Sequence, residues 1–409
     1  MNKLIALTLI VVVALAAAGI VLAADTAATA AATVAPAAAP ATAPAAPAMN
    51  ADKAKKAQQA LDRGVAFILS QRNDAGGWGF EPGKSHPGLT AIVLKALLRQ
   101  SGYGPDHVAV RKGFEELMKS RQGDGGFYNP QEGNANYCTS LAVMALAAGG
   151  SAHKPALDDA IKFLRGQQIA PGSKTPNGDT VDAKHPFGGG VSYGKQGRPD
   201  LSNQGFWMEA LHEAGVGGDD EAMQRALAFV QRVQNRTEGS EGQSFVVKGE
   251  DDGGFIYAIE QKDGQFVGAS AAGDSDRGLR SYGSMTYTGF KSMLYANLRK
   301  DDPRVKAAFD WIRKNWRLDT NPNMPEAQSR QGLYYYYMVF AKALRTYGQD
   351  VITDGKGAAH NWREELADAL IAQQKPDGSW ANEADRWNEG SPTLVTCYSA
   401  LALQEALPK

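Results

Sequence analysis

A chain of 409 residues with 43 Lys and Arg against 44 Asp and Glu has a formal charge of -1, which leaves no basic surface for nucleic acid. Hydrophobic residues are 43% of it, with 45 Gly and 19 Pro, enough apolar material for a large core broken by frequent turns. The two cysteines, Cys138 and Cys397, lie far apart in apolar helical contexts and read as buried free thiols, not a disulfide framework.

Met1-Asn2-Lys3 carries one positive charge, Leu4 to Leu22 is an uncharged apolar run, and Val21-Leu22-Ala23 places small residues where a signal peptidase cuts. Residues 1–23 therefore read as a signal peptide and the protein as exported, periplasmic or extracellular. Left uncleaved, the run is long enough to anchor the chain to a membrane. Residues 24–50 are mostly Ala, Pro and Thr, with Pro36, Pro40, Pro44 and Pro47 interrupting any helix; they read as an extended, semi-rigid linker. Residues 51–409 show no second linker and read as a single domain.

That domain repeats one unit: an amphipathic helix, a Gly/aromatic turn, and a more apolar helix. The first unit has Leu61, Val65, Ile68 and Leu69 on one helical face, the turn Gly76-Gly77-Trp78, then Leu89 to Leu97. The second has Val110, Phe114, Leu117 and Met118, the turn Gly125-Gly126-Phe127, then Cys138 to Ala147. A third opens with Leu157, Ile161, Phe163 and Leu164, runs through a long polar loop to Tyr193, and resumes at Leu201 to Ala214. The fourth has Met223, Leu227, Phe229 and Val230, the turn Asp252-Gly253-Gly254-Phe255, a loop through Asp274-Ser275-Asp276, and a helix from Tyr282 to Leu298. The fifth, without the Gly/aromatic turn, pairs Val305 to Ile312 with Gly332 to Tyr347. The sixth restores the pattern with Leu366, Leu370, Gln373-Gln374, Asp377-Gly378-Ser379-Trp380 and Thr393 to Ala406.

First helices carry charge on one side, whereas second helices are apolar around most of their circumference and must be covered on all sides. Six hairpins closed into two concentric rings, polar-faced helices outside and apolar ones inside, meet both needs. An open solenoid would need polar caps at its ends, and the last helix is of the apolar type. The predicted fold is all-α, an α/α toroid of six helical hairpins.

Arg63-Gly64, Phe67-Ile68, Gln71 and Gly76-Gly77-Trp78, with Gln373 to Trp380, resemble the Gln-Trp repeat of the squalene-hopene cyclase and terpenoid cyclase family, which is related to protein prenyltransferase β subunits. The resemblance implies a toroid whose inner helices surround an apolar cavity that holds isoprenoid chains. The motif residues Gln71, Trp78, Gln373 and Trp380 serve turn closure, and Asp124, Asp251, Asp252 and Asp377 bond turn backbone. The family's cyclising acid, an Asp-x-Asp-Asp-Thr-Ala stretch, is replaced here by His86-Pro87-Gly88-Leu89-Thr90-Ala91. The prenyltransferase zinc motif is matched only at Thr396-Cys397-Tyr398, with Val395 in the His position and Asn136 in the Asp position before Cys138. No metal site and no cofactor are expected.

What is left for chemistry is Asp274 and Asp276, a close acid pair feeding into an inner helix, and His86 at the head of another. Tyr137, Trp207, Tyr287, Tyr334, Tyr335 and Tyr337 are candidates to line the bore, where aromatic walls suit apolar or cation-like ligands. The predicted function is an exported toroid binding an isoprenoid or other apolar small molecule. The alternatives are a glycan-active α/α toroid, with residues 172–193 and 239–280 as its cleft, and a non-catalytic scaffold that binds protein through its outer face. No Gly-Cys-Gly-Glu-Gln motif of thioester proteins occurs.

Overall fold

The computed structural model describes residues 49–408, apart from 176, 183, 195–196 and 239–250. The signal-peptide reading and nearly all of the linker reading fall outside the described residues. Twelve α-helices follow in six hairpins: α1 (Ala51–Ser70) with α2 (Pro87–Leu98), α3 (Val108–Met118) with α4 (Ala135–Ala148), and α5 (Lys154–Gln167) with α6 (Leu201–Glu213). Then come α7 (Glu221–Arg232) with α8 (Gly283–Tyr295), α9 (Pro303–Lys314) with α10 (Leu333–Tyr347), and α11 (Trp362–Gln373) with α12 (Pro392–Ala406). The even-numbered helices pack in sequence order, α2 on α4 through to α10 on α12, and α12 returns to α2. The chain is an α/α toroid. Burial follows the two helix types: α1 buries one stripe, Ala57, Ala60, Leu61, Gly64, Val65 and Ile68, while α12 is buried at every residue except Pro392.

The turns are latched by recurring hydrogen bonds. The indole Nε1–H of Trp78 donates to the Ile68 carbonyl at 2.7 Å, and that of Trp380 to the Leu370 carbonyl at 2.8 Å. Each turn aromatic also donates its backbone N–H to a threonine hydroxyl of the following inner helix: Trp78 to Thr90, Phe127 to Thr139, Phe255 to Thr286 and Trp380 to Thr396. Gly378 fits its turn for two reasons: its φ is 88°, and a Cβ there would stand 2.6 Å from the Arg63 carbonyl of the neighbouring outer helix.

Gln374 is the residue that joins hairpins. Its amide donates to the carbonyls of Gly378 at 2.9 Å and of Ala60 in α1 at 2.8 Å, across the seam where the ring closes. Gln168 and Gln234 do the same for the carbonyls of Ala222 and Arg304, 2.8 and 2.9 Å away in the next outer helix. Gln71 and Gln373 are one residue out of step: Gln71 reaches only the Ser70 hydroxyl, and Gln373 turns toward Tyr337 and Arg330. Gln374→Ala is therefore expected to cost about 1–2 kcal/mol, two buried carbonyls losing their donor, while Gln71→Ala should stay within about 0.5 kcal/mol. Denaturant midpoints of the two variants check this.

Three two-stranded antiparallel hairpins decorate the loops: β1 (Ala258–Lys262) with β2 (Gln265–Ala269), β3 (Asp274–Ser275) with β4 (Gly278–Leu279), and β5 (Val351–Thr353) with β6 (Ala359–Asn361). The first turns at Asp263-Gly264, which take φ 50° and 76° in a two-residue turn, a signal the sequence reading passed over.

An ionic cluster fills the bore at the C-terminal half of the inner helices. Glu209 of α6 meets Lys95 of α2 at 3.0 Å, and also Lys291 of α8 and Lys342 of α10; all four side chains are 1–3% exposed. Lys95 has a second carboxylate, Glu213, at 2.6 Å. That extra partner holds its pKa above the ordinary lysine range against the cost of burial. Lys342 shares Glu209 with two other lysines, and burial pushes it down to about 8. The bore is thus closed on one side by charge.

Candidate functional site

The other end of the bore is open. Gly88 and Leu89 of α2, Tyr137 and Cys138 of α4, Ser202 of α6, Met285 of α8, Tyr335 of α10 and Leu394 of α12 all lie in first turns, and all face one cavity of about 210 Å³. Eight aromatic side chains line it. Phe80, Tyr193 and Trp387 form its rim and are 43%, 39% and 45% exposed. Tyr257, Tyr282 and Tyr398 stand inside with Tyr137 and Tyr335. Deeper down the hydroxyls of Tyr137, Tyr398, Ser202 and Tyr335 lie close enough to influence one another, and that of Tyr335 is 3.2 Å from the Thr288 hydroxyl. Burial pushes these phenols up, Tyr335 to about 12, so they are neutral hydrogen-bonding groups.

Glu389 is the acid of this cavity, and the sequence reading missed it. It is 1% exposed, and burial raises its carboxyl to about 7. Oε1 accepts from the Tyr335 N–H at 2.7 Å and Oε2 from the Asn382 amide at 2.6 Å. The loop that delivers it places Trp387 and Asn388 consecutively in the left-handed region, at φ 59° and 64°, a conformation that costs about 1–3 kcal/mol per residue and clusters at binding sites. Packing holds it there. The Trp387 ring lies over Gly332, where a Cβ would come within 3.2 Å, and the Arg386 guanidinium sits 4.5 Å from the ring centroid on the indole.

His86 also faces the cavity, as the N-cap of α2. Its Nδ1 accepts from the Leu89 N–H at 3.2 Å and its Nε2 lies 3.0 Å from Glu132. That assigns the tautomer with the proton on Nε2. Burial lowers the pKa of His86, so the neutral ring suffices for both bonds. Asp200 stands one layer back, capping α6 through the Asn203 N–H at 2.9 Å and accepting from the Asn203 amide at 2.9 Å; burial raises it to about 6.

Of the residues singled out from sequence, the structure brings Tyr137, Tyr335 and His86 to the cavity. The others lie elsewhere. Successive residues of a helix are rotated by about 100°, so of the four tyrosines in α10 only Tyr335 points inward. Tyr334 approaches Gln373, and Tyr336 and Tyr337 donate to the carbonyls of Arg317 and Leu318, closing the turn that lacks a Gly/aromatic motif. Trp207 donates its indole N–H to the Leu164 carbonyl at 2.8 Å. Tyr287 packs against Tyr336 and Phe340 between α8 and α10. Asp274 and Asp276 are exposed on the β3–β4 hairpin, and Asp276 borders a separate polar surface hollow. Cys138 and Cys397 are unpaired and buried; burial raises Cys138 to about 12, which leaves it an unreactive thiol on the wall. Among the described residues no group of three metal-ligating side chains converges.

No protein-family profile matches the sequence, and no curated protein sequence is significantly similar to it. Solved structures do match the fold. The type II terpene cyclase MstE from Scytonema aligns at a TM-score of 0.51 and 16% identity, over 87% of this chain and 99% of that one. A protein from Actinoplanes aligns at 0.52 and 15%, over 86% and 100%. An alpha-amylase from Clostridium perfringens aligns at 0.50 and 11%, over 89% and 99%. At these identities the likeness is one of fold, a terpenoid-cyclase-like toroid.

Proposed function

We propose that this chain is an exported toroid that takes an isoprenoid-like or other apolar small molecule into the cavity at the N-terminal end of its inner ring. The aromatic lining of that cavity carries the reading: eight rings converge where the bore of a terpenoid-cyclase-like fold opens to solvent. Export rests on the apolar stretch of residues 1–23.

The reading is one of binding, without cyclisation started by a proton. The acid-bearing stretch is replaced by His86 to Ala91, and the acid the cavity does hold, Glu389 at about 7, is too weak to protonate an isolated alkene. Size narrows the ligand further. A cavity of about 210 Å³ falls below the roughly 300–1,000 Å³ of common ligand pockets, so a long polyisoprenoid would place only one end inside, its remainder passing Phe80 and Trp387. At roughly 0.8 kcal/mol per buried carbon, one five-carbon unit gives about 4 kcal/mol, a millimolar interaction, and two units about 8 kcal/mol, a micromolar one. Retention through purification thus calls for two units or an additional polar contact. Organic extracts of the purified protein, analysed by mass spectrometry, should contain a stoichiometric apolar compound. Repeatedly empty extracts, together with no thermal shift from added isoprenoid alcohols, would refute the proposal.

A further inference from the structure

Of the buried carboxylates among the described residues, Glu209 is matched to three lysines and Glu405 to Arg99 at 2.6 Å. Asp200 and Glu389 form no such pair, and of these two only Glu389 lines the cavity. Its partners are the Asn382 amide and the backbone N–H groups that open α10, Tyr335 at 2.7 Å with Leu333 and Tyr334 beside it, so it meets the partial positive charge of a helix N-terminus, while among the described residues no Lys, Arg or His forms an ion pair with it. These partners are donors with no proton to accept, so the arrangement is built around the ionised carboxylate. An ionised carboxylate in an apolar enclosure needs a counter-charge. The space it faces is walled by Tyr137, Tyr282, Tyr335, Tyr398 and Trp387, and aromatic rings around a carboxylate are the surroundings that favour an organic cation.

We propose that the cavity binds a small organic ammonium group, quaternary or protonated, with Glu389 as its counter-ion and the tyrosine and tryptophan rings as its cage. The inference rests on the cavity being a ligand site and gives the apolar ligand a cationic head. The partial positive charge of the inner-helix N-termini opposes a cation, but it falls off within one turn and is largely taken up by caps, among them His86, Asp200 and Ser391. A cation beside Glu389 meets a whole charge.

Binding should then depend on pH with a defined sign. In the empty cavity Glu389 holds a proton below about 7, and an ammonium must displace it, so affinity falls as pH falls and levels off above that value. Of the neighbouring groups that burial shifts, only Asp200 changes near the same interval. The phenols of Tyr137, Tyr282 and Tyr398 are raised by burial, as is the Cys138 thiol, and His86 is lowered and neutral beside Glu132. Asp200, behind Tyr257 and outside the cavity lining, changes near pH 6, so any pH dependence that survives in Glu389→Gln belongs to it; the Arg386 guanidinium lies over the Trp387 ring.

The test compares choline with its uncharged isostere, carbon replacing nitrogen, by titration calorimetry on the purified chain. The expected result is binding of choline at least tenfold tighter than the isostere at about pH 8, falling about tenfold by about pH 6 in line with the carboxyl titration. Glu389→Gln should bind the two alike, and Trp387→Leu should weaken choline severalfold. Equal binding of choline and isostere by the native chain, or a pH-independent affinity, overturns the proposal, and neither measurement depends on a variant that caps α10 less well. An isoprenoid alcohol that binds native chain and Glu389→Gln equally, while choline does not bind, refutes the cation and leaves the proposed function standing. Failure of every probe ends both.

Discussion

Glu209→Gln is expected to cost about 3–5 kcal/mol of stability and to lower the thermal midpoint by roughly 5–15 °C, the largest effect of any single substitution considered. The change preserves shape and removes only charge. Lys95 keeps Glu213 at 2.6 Å, but Lys291 and Lys342 lose their carboxylate, each with its side chain no more than 3% exposed. The Tyr295 ring, 5.5 Å from the Lys291 ammonium, offers at most about 2 kcal/mol of cation–π attraction, too little to hold a desolvated charge. Lys342, which burial already pushes down to about 8 beside an ionised Glu209, would lose its proton on folding. Its folded pKa would then lie further below the unfolded value of about 10.4, the unfolded chain would bind more protons, and stability would rise with pH until about that value. In the native chain Lys342, at about 8, should contribute a smaller rise of the same sign. A variant whose midpoint matches the native one, or whose stability is flat between about pH 7 and pH 10, would show that the cluster is not what closes the bore. Replacing all four members by Met should recover the loss, since well-packed apolar groups commonly equal or exceed a buried ion network.

The ring itself was legible because its cause is periodic. An apolar face every 3.6 residues, a Gly/aromatic stop and an apolar partner helix repeat along the chain, and repetition exposes them without any knowledge of what touches what. The ionic cluster is not periodic in that sense. Lys95, Glu209 and Lys291 each occupy the ninth position of their inner helices and Lys342 the tenth, so a charge at matching depth in four largely apolar helices was the available signal, readable only once the helices are aligned by their first residues. Glu389 carries no pattern at all. It follows two left-handed residues in a loop between a turn and an inner helix, and its importance comes from the cavity it faces, which all six inner helices and several connecting loops create. The tyrosine run shows the same limit from the other side. Composition promised aromatic walls, but rotation about the helix axis gives the bore to Tyr335 alone, and the walls are completed by Phe80, Tyr193, Tyr257 and Trp387 from connecting loops.

Met285→Trp is expected to abolish ligand binding, at least a hundredfold in affinity, while leaving the fold in place. Met285 is 3% exposed and lines the cavity from the first turn of α8. A bicyclic side chain there has a void of about 210 Å³ to enter, so the usual cost of overpacking, about 1–3 kcal/mol, should sit at its lower end. Met285→Leu, which leaves the space open, should bind as the native chain does. Trp207→Leu should behave in the opposite way. That indole is fully buried in the ring wall and bonded to the Leu164 carbonyl, so its loss costs stability, about 3 kcal/mol or more, without narrowing the cavity. If Met285→Trp keeps its ligand, or if Trp207→Leu loses the ligand while holding its midpoint, the molecule binds somewhere other than the N-terminal end of the bore. The pair separates occupancy from folding because the two residues sit in adjacent inner helices, one facing the opening and the other facing the outer ring.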